Sequence, residues 1–142
     1  MAAATTYSFG ALIVQLETAS PGVYAAPCGL TSRAIKFSKS ANETVIPDCA
    51  DDDAAAWVER DIASLSATIS GEGVVDGTAF TDYWRPWAIL ATAKNCRAVL
   101  TGKGYWAGSF HLLSLDISGK RGERVAVNIE LASDGALTWT TV

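Results

Sequence analysis

The chain has 142 residues, enough for one domain with a real core and too few for two comfortable ones. At 49% hydrophobic and 18% charged residues its composition is globular, which sets disorder aside. A net charge of −4 argues against a free-standing nucleic-acid binder, which would carry a basic stripe with interleaved aromatics.

Cys28, Cys49 and Cys96 are odd in number, widely spaced and without a CxxC pair, so they read as free thiols of a reducing cytoplasm. The opening stretch Met1–Thr6 lacks the basic-then-apolar order of a secretory leader. No stretch reaches the roughly 18 apolar residues needed to cross a bilayer. Neither secretion by that route nor a membrane partner is expected.

Residues 1–6 are small and polar and are expected to form a flexible arm. Tyr7–Glu17 reads as a strand with apolar residues on both faces, and Ser20-Pro21-Gly22 as a turn. A second strand is expected at Ser32–Ser38, followed by a long polar excursion over 38–53, an extended loop leaving the core. Asp51-Asp52-Asp53 then runs into three alanines. A calcium loop there would need a glycine and a distal glutamate that are missing, so the aspartates read as the N-terminus of a short helix at about 54–61. Ser66–Val75 is strand-like, and Gly71-Glu72-Gly73 within it suggests a bulge or a close backbone approach.

The main helix is expected at about 83–94, capped by Thr81 or Asp82, with Pro86 in its first turn and Trp84, Trp87 and Leu90/Ala91 forming a stripe over the sheet. Cys96–Thr101 is another strand, and Gly102–Gly108 a glycine-rich loop. The most regular stretch is the hairpin Ser109–Ala132. Its first arm places His111, Leu113, Leu115 and Ile117 on one face, and Phe110, Leu112, Ser114, Asp116 and Ser118 on the other. Its second arm sets Val125, Val127, Ile129 and Leu131 against Arg124, Ala126, Asn128, Glu130 and Ala132. Ala136–Thr141 closes the chain as a last strand. The fold class is therefore mostly β: a single domain over 1–142, a β-sandwich or barrel of antiparallel strands with one main helix and one short one.

Chemistry is sparse. Gly102-Lys103-Gly104-Tyr105-Trp106-Ala107 fits a dinucleotide pattern only superficially, because a strand follows where a helix is required. His111 is the sole histidine, with no second imidazole or paired thiol to build a zinc site or a nucleophile–base pair, and reads as a packed or interface residue. No catalytic residue, metal site or cofactor is expected, and the chain does not read as an enzyme.

Three passages, in order, resemble the tail tube (major tail) proteins of long-tailed bacteriophages, prophages and gene transfer agents. The first runs from Ser20-Pro21-Gly22 through Pro27-Cys28-Gly29-Leu30-Thr31-Ser32 into Ile35-Lys36-Phe37-Ser38-Lys39. The second joins Ile46-Pro47-Asp48-Cys49 and Ala56-Trp57-Val58-Glu59-Arg60 to the strand Ala67–Val74. The third is the C-terminal hairpin, from Leu115-Asp116-Ile117-Ser118-Gly119 to Ile129–Gly135. The resemblance implies a β-sandwich flanked by a helix, assembling as hexameric rings that stack into a hollow tube for DNA passage during ejection. It implies further partners: a tape measure protein, a tail terminator and baseplate proteins. DNA would cross the lumen without specific binding. The location implied is the virion tail, assembled in the bacterial host cytoplasm. The excursion matches the family's ring-stacking loop in position, which nominates Glu43, Thr44, Val45, Ile46, Pro47, Asp48 and Cys49. On the hairpin's polar face, Asp116, Asn128 and Glu130 are the candidates for facing the lumen.

Two other readings compete. One is a different ring-forming tail component, or a type VI secretion inner-tube protein, on the same architecture. The other is a small β-sandwich ligand-binding module using Trp84, Trp87, Tyr105 and Trp106, which requires those tryptophans to be exposed.

Overall fold

The computed structural model describes residues 2–142, so residue 1 of the expected arm lies outside them. Residues 2–8 form no helix or strand, and a 3-10 turn at Phe9–Ala11 leads into the sheet. Seven strands follow: β1 (Leu12–Glu17), β2 (Tyr24–Ala25), β3 (Leu30–Ile46), β4 (Trp57–Val74), β5 (Lys94–Leu100), β6 (Gly104–Ser118) and β7 (Ala126–Thr141). They make one antiparallel sheet in the order β2-β1-β5-β6-β7-β4-β3.

That sheet folds over because β6 and β7 each serve two layers. The first part of β6 pairs with β5 as far as Phe110; from His111 onward it pairs with β7 alone. Strand β7 in turn meets β4 only between Ala126 and Ala132. The bend lies where the β6–β7 register slips, between Ala107 and Ser109. Opposite it Gly135 holds a φ of 93°, and Gly108 lies so close to the Leu137 side chain that a Cβ would collide. The result is a sandwich: β2-β1-β5 with the start of β6 and the end of β7 form one layer, and β3-β4 with the start of β7 and the end of β6 the other. Across the open side, Arg33 Nη2 on β3 donates to the Phe9 carbonyl at 3.3 Å.

The facing sides form the core. Val14, Leu16, Cys96 and Ala98 come from the first layer, and Ala67, Ile69, Ile129 and Leu131 from the second, all nearly fully buried. Burying each of the larger aliphatic side chains contributes roughly 1.5–3 kcal/mol. The close approach expected at Gly71-Glu72-Gly73 is present: Gly73 sits against the Gly29 carbonyl with no room for a Cβ, beside a register slip between Leu30 and Ser32.

The main helix occupies residues 77–88 rather than 83–94. Asp76, not Thr81 or Asp82, caps it by accepting the Ala79 N–H at 3.0 Å. Pro86 therefore falls well inside the helix. The chain accommodates it by widening to a π-helical turn over Phe80–Trp84, closed by an Arg85 N–H to Phe80 carbonyl bond, before the α-helical Arg85–Ala88. Trp84 and Trp87 are buried as the stripe predicts, but Leu90 and Ala91 are exposed. Trp87 Nε1 donates to the Thr92 carbonyl at 2.9 Å, in the irregular segment that replaces the helix's expected last turns.

The short helix expected at 54–61 does not form. Trp57–Arg60 open β4, with Trp57 opposite Ile46 and Val58 opposite Val45. The alanine run and the aspartates favour a helix only weakly, and cross-strand pairing overrides that preference. Asp51 and Asp53 cap no helix; the Asp51 carboxylate accepts the Asp53 N–H at 3.1 Å within the turn.

A bulge also reassigns one face of the hairpin. Leu112 pairs with Leu131 and Ser114 with Glu130, which leaves Leu113 as the extra residue, 62% exposed. The expected face of His111, Leu113, Leu115 and Ile117 is therefore not one face. Phe110 and Leu112 join the core before the bulge and Leu115 after it, while His111 lies on the outer side, 3.2 Å from the Asp134 carboxylate.

Candidate assembly surfaces

The candidate stacking surface starts where β3 and β4 outrun their neighbours. The β4–β7 ladder ends at Thr68–Ala132, and the Ser133 hydroxyl takes the next N–H, from Ala67, at 3.0 Å. Beyond this point Lys39–Ile46 pairs only with Trp57–Leu65. The two-stranded arm so formed extends about 25 Å at roughly 3.3 Å per residue. The excursion expected as a loop over 38–53 is mostly this arm, and only the connection 47–56 lacks strand structure.

The arm is two-faced. One face continues the core side of the sheet: Lys39 opposite Leu65, Ala41 opposite Ile62, Glu43 opposite Arg60 and Val45 opposite Val58. The other carries Ser40, Asn42 and Thr44 opposite Ser64, Asp61 and Glu59, and ends in the Ile46–Trp57 pair. Glu43 and Arg60 form an exposed salt bridge at 3.1 Å. Of the stacking candidates, Glu43, Thr44, Val45 and Ile46 lie on the arm's strand, and Pro47, Asp48 and Cys49 lie in the connection at its tip. Sequence reading missed the opposite strand. Trp57 (87% exposed), Ile62 and Leu65 are equally part of the arm, and the expectation of a helix there hid the Val58–Ile62 side of the ribbon.

The lumen candidates share one exposed face of the second layer. Asp116 on β6 pairs with Asn128 on β7, which pairs with Glu72 on β4; Glu130 pairs with Ser114 on one side and Ser70 on the other. Thr31, Glu72, Asp116, Ser118 and Asn128 line a shallow groove of about 450 Å³ on this face.

The aromatic residues of the ligand-binding reading are not brought together. Trp84 and Trp87 are core residues at 3% and 1% exposure. Tyr105 packs on the Arg97 guanidinium at 4.6 Å, whereas Trp106 turns the other way, against Trp139 at 4.6 Å and Phe37 at 5.1 Å. All three cysteines are free: Cys28 and Cys49 are exposed, and burial pushes the Cys96 thiol up to about 12.

The chain is thus a folded-over antiparallel sheet with a protruding, half-apolar arm and one open polar face. The family model described as phage tail tube protein matches residues 8–139, and the chain belongs to that family. It is a tail tube structural protein. No curated protein matches it by sequence. Among solved structures it is similar to the tail of an empty gene transfer agent particle determined with C6 symmetry, at TM-score 0.81 and 21% identity, covering 95% of this chain and 99% of that one. The virion of a native gene transfer agent particle gives 0.79 and 20%, with the same coverage. The SPP1 tail tube gives 0.65 and 11%, over 96% of this chain and 80% of that one.

Proposed function

We propose that this chain closes into six-membered rings that stack into a hollow tube, the DNA conduit of a phage-type virion tail. The observation that carries the reading is a four-stranded layer open at both edges. Among the described residues, no strand pairs with the outer side of β3, and none pairs with the β5 side of β6 beyond Phe110. Free edges of this length invite pairing. Joining the β6 edge of one copy to the β3 edge of the next is a head-to-tail contact, which closes as a ring when the rotation permits. The C6 symmetry of a gene transfer agent tail with this fold supports six as the number.

In such a ring the polar face with Asp116, Asn128 and Glu130 lines the lumen, where fixed negative charge repels DNA phosphates and keeps transit free of grip. The arm, with Glu43 to Cys49 on one strand and Trp57 to Leu65 on the other, reaches the adjacent ring. A two-stranded ribbon is marginal alone in water, and a partner surface would cover its apolar face. A tape measure protein inside the lumen, with terminator and baseplate proteins at the ends, fits this assembly, as does formation in the host cytoplasm.

Negative-stain electron microscopy at rising concentration, with and without purified tail tips as nuclei, tests the reading. Wild-type protein gives rings and tubes. A variant with residues 43–60 replaced by Asn-Gly, closing the ribbon after Asn42, gives rings only. Monomers under every condition would sink the ring, and tubes from the shortened variant would remove the arm from stacking. Asp116→Lys with Glu130→Lys leaves tubes intact and slows DNA ejection; unchanged ejection rates would count against the lumen assignment.

A further inference from the structure

The connection at the arm tip and the β6–β7 turn differ in charge. Strand β4 runs from Trp57 near the arm tip to Val74 at the far end, a contour of roughly 60 Å at about 3.3 Å per residue. At that far end it meets the β6–β7 turn: Val74 pairs with Ala126, and the Val75 N–H donates to the Val125 carbonyl at 2.9 Å. The connection at the arm tip carries Asp48, Asp51, Asp52 and Asp53 and no basic residue. The turn at the far end carries Lys120, Arg121 and Arg124 against Glu123 alone. None of these side chains forms an ion pair among the described residues.

Each end also exposes apolar surface beside its charges. At the tip, Trp57 and Ile46 are 87% and 53% exposed. Flanking the turn, Val125 and Ile117 are 48% and 42% exposed. Charge and apolarity thus complement each other between two patches that lie too far apart to meet within one molecule.

We propose that the arm tip of one copy docks on the β6–β7 turn of a copy in the next ring, acidic connection against basic turn and Trp57–Ile46 against Val125 and Ile117. The contact rests on the stacked-ring reading and gives it a direction. Joining two different patches of one chain makes a heterologous contact, which propagates along a filament instead of closing on itself. Tip-to-tip and turn-to-turn encounters place like charges together, so only one polarity of stacking is favoured.

Charge reversal tests this in the full-length protein, with tube growth followed by light scattering and electron microscopy. A tip variant (Asp51→Lys, Asp52→Lys, Asp53→Lys) and a turn variant (Lys120→Glu, Arg121→Glu, Arg124→Glu) each slow elongation by about tenfold or more, with ring formation and far-UV circular dichroism retained. One chain carrying all six changes is complementary again and recovers most of the wild-type rate. Wild-type elongation in both single-site variants, or no recovery in the combined one, would overturn the contact. Failure of the wild type to form rings or tubes would instead sink the stacked-ring reading, and the contact with it.

Discussion

The inner and outer halves of the β3–β4 hairpin share an alternating pattern and end in opposite environments. In the inner half, Ile35 pairs with Ile69, and Ile69 is wholly buried because β7 lies beside β4 and the other layer lies across from it. In the outer half, Ala41 pairs with Ile62 on the same side of the ribbon, yet Ile62 is 55% exposed because neither neighbour extends that far. Alternation along a strand therefore states which face is apolar and leaves open what covers it. The body supplies its own cover, and the arm has none among the described residues.

The largest effect expected from this contrast is on the stability of the monomer. Ile129→Ala, in the body, lowers unfolding free energy by about 2–5 kcal/mol, read from urea denaturation under conditions that keep the protein monomeric. Ile62→Ala, in the arm, changes it by less than about 0.5 kcal/mol, as for other exposed positions, while raising the concentration needed for tubes. Equal losses at the two sites would break the comparison, since they would mean the arm is already packed within one subunit.

A smaller effect sharpens it through thiol chemistry. Cys28 and Cys49 are exposed and label promptly with a thiol reagent. Cys96, buried and with its thiol pushed up to about 12, labels only on unfolding. Cys49 sits at the arm tip, so tube assembly slows its labelling several-fold; an unchanged rate in tubes would place the tip outside the proposed contact.

Legibility in the sequence followed the range of the interactions involved. The hairpin strands Ser109–Ser118 and Ala126–Ala132 were readable because apolar alternation is local, and both do form strands. The polar set Asp116, Asn128 and Glu130 was readable for the same reason, since all three follow the bulge at Leu113 or lie on β7, where the count of residues is unbroken. His111 and Leu113 were misplaced because nothing local marks which residue of a strand will bulge; the two-against-one match with Glu130 and Leu131 decides it. Arg124 and Val125, expected on the hairpin's second arm, instead precede β7 in the turn, and the position of that turn opposite the acidic tip was not legible.

Three features belong to the chain as a linear object: the predominance of β structure, the alternation of apolar and polar residues where no bulge interrupts it, and the ordered motifs that mark a tail tube protein. Each rests on residues a few positions apart or on the order of short segments. The position of the helix, the replacement of a short helix by the start of β4, and the conversion of an expected loop into an arm were settled in three dimensions. Each depends on partners far along the chain, Ile46 for Trp57 and the core-facing sheets for Trp84 and Trp87. Local preferences of a fraction of a kcal/mol per residue yield to a whole strand pairing or a buried tryptophan.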